Sequence, residues 1–216
     1  MTHLWLKTVS AAIILAGGMT STALVASETA PPAAAGNASA GEAKAGTICM
    51  ACHGPQGNSI VPAWPKVAGQ HPDYIYKQLM DFKAGNRENA QMSPMAAPLT
   101  EQEMLDLAAY YAAQTQSPGA ADPALSDLGE RIYRAGNPAT GVPACTGCHG
   151  PAGMGVNLAK FPRVSGQHAD YTKLTLTQFR AGERGNDPNG MMRGAAAHLT
   201  DQEIAAVAQY LQGLAN

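Results

Sequence analysis

An all-α fold, made of one small helical domain repeated in tandem, follows from three observations on this 216-residue sequence. The chain aligns with itself over most of its length at a nearly constant offset, which is the signature of a repeated structural unit. Each copy carries apolar residues at helical spacing, bounded by helix-capping signals, with no alternating strand pattern. Each copy also contains C-x-x-C-H once, as Cys49-Met50-Ala51-Cys52-His53 and Cys145-Thr146-Gly147-Cys148-His149, and the two motifs use all four cysteines. This pentapeptide is an attachment signature for c-type haem, in which both thiols form thioethers with the vinyl groups and the histidine reaches the iron. Each domain is therefore expected to wrap around one covalent haem.

Taken in chain order, residues 1–26 read as a signal peptide. Lys7 supplies a basic start, Val9–Leu15 a short apolar run, and small residues ending in Leu24-Val25-Ala26-Ser27 a cleavage site. The apolar run is shorter than the roughly 20 residues needed to span a bilayer. Residues 27–40 are rich in Ala, Pro, Ser and Gly, too poor in bulky apolar side chains to form a core, and read as a flexible leader.

The first domain is expected over 41–116 and the second over 124–216, joined by a linker at 117–123 of exposed composition, Ser-Pro-Gly-Ala-Ala-Asp-Pro. A helix should enter the first haem motif from Gly41. Its counterpart should open at Asp122-Pro123, an N-cap followed by proline at the first helical position. The second copy carries extra residues, Gly136–Pro143, before Cys145. Middle helices are expected from Pro72 to Lys83 and from Ala169 to Arg180, each stopping at an Ala-Gly pair suited to a helix C-terminus. The last helices open with Thr100-x-x-Glu103 and Thr200-x-x-Glu203, both capping boxes. Leu105, Ala108 and Ala109 in the first copy, and Ile204, Val207, Ala208 and Leu211 in the second, then form the buried stripes. Each domain has fewer than about 100 residues, a size at which an apolar core alone is marginal, so a covalently tied haem would complete it.

The repeat extends beyond the motifs. Trp64-Pro65-Lys66-Val67-Ala68-Gly69-Gln70-His71 pairs with Phe161-Pro162-Arg163-Val164-Ser165-Gly166-Gln167-His168, Tyr74 with Tyr171, and Phe82-Lys83-Ala84-Gly85 with Phe179-Arg180-Ala181-Gly182. Cys49, Cys52, Cys145 and Cys148 are read as the thioether residues. Redox disulfides or a zinc site are the competing uses of a Cys-x-x-Cys pair, but a histidine directly after both pairs argues against them. His53 and His149 are then the proximal iron ligands, each oriented by a backbone carbonyl on its other ring nitrogen, with Pro65 and Pro162 as candidates. For the sixth ligand, Met92 and Met95 compete in one half and Met191 and Met192 in the other. Counting back seven positions from Leu99 and from Leu199 reaches Met92 and Met192, the one pair the repeat shares, each expected in a loop between two helices. His71 and His168 are the rival sixth ligands, and a capping or inter-domain hydrogen-bonding role is the alternative for them. Trp64, Phe161, Tyr74 and Tyr171 read as packing residues near the haem or between the domains, and Lys66 and Arg163 as solvated charges, with contact to haem propionates as the alternative.

Taken together, the two C-x-x-C-H-G motifs, Pro-Lys-Val-Ala-Gly-Gln with Pro-Arg-Val-Ser-Gly-Gln-His, Met192-Arg193-Gly194 and the closing Tyr210-Leu211-Gln212-Gly213-Leu214 resemble the dihaem cytochrome c4 family, built from two class I cytochrome c domains. The resemblance covers about Gly41 to the C-terminus. It implies a periplasmic electron carrier with His/Met ligation at both irons, two domains facing each other across a pseudo-twofold axis, haem propionates near the interface, and a terminal oxidase as one electron acceptor.

Function should then be electron transfer between respiratory partners rather than catalysis. If Cys, His and Met fill every covalent and axial position, no iron site is open to a substrate. The alternatives are a cytochrome subunit of a flavin-containing dehydrogenase and, further off, a dihaem enzyme such as a peroxidase. The charge balance is near neutral, with 14 basic and 16 acidic residues. That excludes nucleic-acid binding by electrostatics. No second apolar run suggests a transmembrane segment, although peripheral membrane contact stays compatible with the sequence.

Overall fold

The computed structural model describes Met1 and residues 35–214. The signal-peptide reading of 1–26 and the first part of the leader lie outside the described residues. Ten α-helices run in two sets of five: α1 (Ala38–Ile48), α2 (Met50–His53), α3 (Pro72–Ala84), α4 (Met92–Ala96), α5 (Glu101–Ala112), then α6 (Pro123–Ala135), α7 (Thr146–His149), α8 (Ala169–Ala181), α9 (Met191–Ala196) and α10 (Asp201–Gly213). Three short 3-10 helices (Pro55–Gly57, Asn157–Ala159 and Pro188–Gly190) and two isolated β-bridges accompany them among the described residues.

Local chemistry explains the ends. Asn37 caps α1 by accepting from the backbone N–H groups of Ser39 and Ala40. The helix therefore starts ahead of Gly41, and residues 38–40 of the stretch read as leader belong to it; Ala, Ser and Gly look like linker by composition, yet Ala is the best helix former. Asp122 caps α6 with Pro123 at its first position. Thr100 and Thr200 form complete capping boxes with Glu103 and Glu203. The middle helices α3 and α8 stop at Gly85 and Gly182, both left-handed at φ 77° and 75°, a conformation that carries no steric cost without a Cβ.

Within each half the first helix crosses the last and the middle helix packs on the last: α1 and α3 on α5, α6 and α8 on α10. The crossing points are Gly41 and Gly129. A Cβ on Gly41 would stand 2.5 Å from the carbonyl carbon of Asp106 and 2.8 Å from Tyr110 Cβ, and one on Gly129 would stand 2.6 Å from Tyr210 Cβ. Only bare backbone lets the helices approach so closely. Two cores result. One joins Ala45, Ile75, Leu99, Met104, Leu107, Ala108, Tyr110 and Tyr111; the other joins Ile132, Tyr133, Val142, Phe179, Leu199, Ile204, Val207 and Leu211. In α10 the stripe is the expected one. In α5 it is shifted: Met104, Leu107, Ala108 and Tyr111 are buried, whereas Leu105 and Ala109 are half-buried against the chain at Gly36. The aromatic ring also changes sides between the copies. Ala45 on α1 faces a core with Tyr111 on α5, while the matching positions hold Tyr133 on α6 and Leu211 on α10.

The extra segment of the second copy folds as a tight turn closed by the Asn137–Val142 bridge. Asn137 Nδ2 donates to Glu203 Oε1 at 2.7 Å, the place taken in the first copy by Lys44 Nζ on Glu103 Oε1, also at 2.7 Å.

Candidate haem sites and the interface between them

Cys49 ends α1 and caps α2, whereas Cys145 follows the tight turn of the extra segment and caps α7, so each C-x-x-C-H motif continues as a single helical turn. One turn separates the two thiols of each motif and sets the histidine against the core. Cys49 and Cys145 pack against the two cores, while Cys52 and Cys148 are exposed, and no disulfide joins any two of them. Burial raises the thiol pKa of Cys49 and pushes that of Cys145 up to about 11. A thiol shifted upward by burial is the opposite of the lowered-pKa thiolate of a redox disulfide site. In the second half, Tyr133 Oη donates to Gly150 O at 2.5 Å and ties the residue after the motif to α6.

Both histidines are buried, at 8% and 7% exposure. His53 Nδ1 is 2.8 Å from Pro65 O and His149 Nδ1 is 2.9 Å from Pro162 O. A carbonyl can only accept, so Nδ1 carries the proton in each ring and Nε2 is left with its lone pair. Burial lowers both pKa values, partly opposed by the carbonyl contact, so each imidazole stays neutral. A neutral ring with a fixed tautomer is the form that ligates a metal.

The candidate methionines sort by burial. Met95 and Met191 are 46% and 43% exposed, whereas Met92 and Met192 are half-buried and Met192 packs on the second core. Met92 and Met192 do not lie in loops as expected: Met92 opens α4 and Met192 is the second residue of α9. Asn89 Oδ1 accepts from Met92 N at 2.8 Å, and Asp187 Oδ2 accepts from Arg193 N at 2.9 Å, so a side chain just upstream organises each short helix. Lys83 Nζ and Arg180 Nη1 donate to Leu99 O and Leu199 O, closing the middle helix over the Met-bearing segment in both copies.

The two halves meet through residues related by the repeat. Arg87 stacks on Phe82 and donates to Tyr171 of the other half; Arg184 stacks on Phe179 and donates to Tyr74. Tyr74 and Tyr171 are thus interface residues. Gln78 Oε1 gathers Arg87, Arg184 and Asn186. His168 Nε2 contacts Ser59 O at 2.8 Å across the interface, which gives this histidine the inter-domain role, while His71 Nε2 is buried without a hydrogen-bond partner. Lys66 is not a solvated charge. It is 5% exposed, with Nζ donating to Ser117 O at 2.8 Å. Burial, and then its cationic neighbour Arg163, lowers its pKa, and no salt bridge engages either of them among the described residues.

These residues fit two haems. Each half offers two thiols one turn apart, a neutral imidazole with Nε2 unprotonated and a half-buried thioether. The comparisons with known proteins agree. A family model described as cytochrome c matches residues 25–113 and 126–215. Cytochrome c4 of Thiocapsa roseopersicina is 72% identical over 180 residues, covering 83% of this chain and 93% of that protein.

The chain belongs to the cytochrome c4 family.

The crystal structure of reduced recombinant cytochrome c4 from Pseudomonas stutzeri superposes with a TM-score of 0.81 at 48% identity, covering 84% of this chain and all of that one. A thiosulfate dehydrogenase electron acceptor from Stutzerimonas stutzeri is 40% identical over 170 residues, covering 77% of this chain and 78% of that protein. Two tandem cytochrome c domains with C-x-x-C-H motifs at Cys49–His53 and Cys145–His149 carry two covalent haem c groups, and the protein is a dihaem electron-transfer cytochrome. Like any such carrier it works with redox partners. Among the described residues, no helix is long and apolar enough to cross a membrane.

Sequence reading anticipated an interface but missed most of its contacts. Gln70 and Gln167 were visible as repeated residues and Arg87 and Arg184 were not singled out, and the contacts they make join positions about a hundred residues apart, which no local pattern signals.

Proposed function

We propose that this cytochrome c4 is exported through the signal peptide 1–26 and works in the periplasm, carrying electrons between respiratory partners toward a membrane-bound terminal oxidase, with no catalysis of its own. Its irons are held by His53 with Met92 and by His149 with Met192, and the thioethers are formed by Cys49, Cys52, Cys145 and Cys148. The observation that carries this reading is the matched donor set: both halves pair an oriented neutral imidazole with a half-buried methionine. Haem supplies one-electron chemistry, and His/Met ligation favours the higher potentials suited to donating to an oxidase. The protein's own residues orient the ligands and keep water away.

Rapid mixing of the reduced protein with oxidase-containing membranes tests the acceptor. Oxidation within catalytic turnover times is expected, and oxidation no faster than with oxidase-free membranes would refute it. A second reading has support from the 40% identical thiosulfate dehydrogenase electron acceptor: acceptance of electrons from a dehydrogenase, in the same class of role as a partner subunit of a flavin enzyme. Reduction of the oxidised protein by a thiosulfate dehydrogenase and thiosulfate would favour it. Turnover of peroxide or thiosulfate by the protein alone would overturn the non-enzymatic reading.

A further inference from the structure

The carbonyl that orients each axial histidine belongs to a peptide unit whose other end is gripped by the opposite half. Pro65 O accepts from His53 Nδ1. The N–H of that same peptide, on Lys66, donates to Gln167 Oε1 at 2.9 Å, and Gln167 Nε2 donates back to Lys66 O at 2.8 Å. The second half repeats the arrangement. Pro162 O accepts from His149 Nδ1, Arg163 N donates to Gln70 Oε1 at 2.9 Å, and Gln70 Nε2 donates to Arg163 O at 2.9 Å. Each glutamine also accepts from the backbone N–H of the histidine that follows it, His71 or His168, which fixes its amide orientation. Lys66 and Gln167 are buried, so water does not compete for the first pair.

A peptide group is conjugated, so its N–H and C=O do not act independently. When the N–H donates to an acceptor, electron density moves to the carbonyl oxygen, and hydrogen bonds in such a chain strengthen one another. The stronger acceptor draws more on the Nδ1 proton and makes Nε2 more electron-rich. Outer partners of this kind raise the basicity of a ligating histidine. A more donating nitrogen favours the oxidised iron.

We propose that Gln70 and Gln167 are positioning residues that act crosswise: Gln167 of the second half sets the axial histidine of the first haem, and Gln70 of the first half sets that of the second. The interface is then part of the redox tuning of both irons, not only a means of holding the halves together. The inference rests on His53 and His149 being the axial nitrogens.

The test uses the full haem-loaded chain with Gln167→Ala and, separately, Gln70→Ala. Both midpoint potentials are measured by spectroelectrochemistry, with each haem assigned from its methyl resonances. The imidazole Nδ1–H shifts are read by proton magnetic resonance of the reduced protein. Gln167→Ala should raise the potential of the haem on Cys49 and Cys52. The expected change is roughly threefold in its oxidised-to-reduced ratio at fixed poise, about 28 mV at about 59 mV per tenfold for one electron. It should also move the His53 Nδ1–H upfield, leaving the His149 signal in place. Gln70→Ala should do the mirror image. A shift confined to the haem in the mutated half, equal shifts of both, or no shift with an intact spectrum would overturn the proposal. If removing the side chain opens the interface, Gln167→Leu keeps its bulk without its hydrogen bonds and must give the same crossed shift. Failure of the ligation reading itself would look different: the wild-type spectrum would not be that of two six-coordinate haems.

Discussion

Replacing Gly41 by alanine tests whether the helix crossing is what organises each half. The new Cβ would lie 2.5 Å from the Asp106 carbonyl carbon and 2.8 Å from Tyr110 Cβ. Ordinary contact begins near 3.4 Å, so α1 and α5 must separate by about 1 Å, because the obstacle is backbone and no rotamer change relieves it. A gap of that size forfeits about a quarter to a half of each dispersion contact it opens, and the crossing carries Ala45, Leu107, Ala108 and Tyr111. Overpacking of this kind costs about 3 kcal/mol, while alanine recovers about 1 kcal/mol of helix propensity over glycine. The net loss is about 2 kcal/mol, equivalent to a fall of about 4–8 °C in Tm for a body of this size. Guanidinium unfolding of the haem-loaded protein, followed by far-UV circular dichroism and by haem absorption, measures it. Gly46→Ala is the control. It lies in the same helix with nothing within 4 Å of the new atom, so it should be neutral or stabilise by up to about 1 kcal/mol. Equal stability of Gly41→Ala and the parent, or an equal loss in Gly46→Ala, would refute the close-approach argument.

Further outcomes follow from other contacts. Met92→Ala or Met192→Ala should each remove about half of the weak long-wavelength sulfur-to-iron band of the oxidised protein, while Met95→Ala and Met191→Ala leave it unchanged; visible spectra decide between the pairs. Arg184→Ala should cost about 2 kcal/mol and expose the connection at 115–122 to protease, because it removes a buried guanidinium that bonds Gln78 and Tyr74 across the interface and stacks on Phe179; Arg87→Ala, removing a less buried partner, should cost less in the same assays. The Lys44 ammonium, then the Thr100 backbone N–H, pull the Glu103 carboxyl down to about 2 from 4.5. A depressed carboxylate stabilises the fold above its unfolded value and loses that contribution as pH falls. Denaturant midpoints of the parent and Glu103→Gln should therefore converge between about pH 4.5 and 2; a constant gap would contradict the assignment.

Sequence reading reached the repeat, the caps and the haem-bearing residues because each leaves a local mark. Thr100 with Glu103, Asp122 with Pro123 and Gly85 after an apolar run are short-range signals, and the helix ends they imply match to within a residue or two. Gly41 was read as the start of a helix that in fact begins at Ala38, and not as its crossing point, since a glycine's neighbours across a fold are not written beside it. Asn37 was a readable cap hidden inside a composition that suggests a linker. The short α4 and α9 escaped because five or six residues hold too few apolar positions to show a period. Lys66 was misjudged for a different reason: lysine is rarely buried, and its burial here depends on carbonyls of the connection between the halves and on a glutamine 101 residues away.

The exchange of Ala45 and Tyr111 for Tyr133 and Leu211 has a consequence for how the two copies diverged. Both crossings share one tyrosine on the last helix, Tyr110 or Tyr210, and pair it with a second ring that enters from opposite helices, Tyr111 on α5 or Tyr133 on α6, so the copies are two solutions to one packing problem. Neither is reached from the other by a single substitution without passing through a crossing that holds three rings or only one. Duplication relaxes that obstacle, since one intact copy can hold the chain together while the other crosses the gap. Interchanging segments between the halves would therefore have to move these helices as pairs.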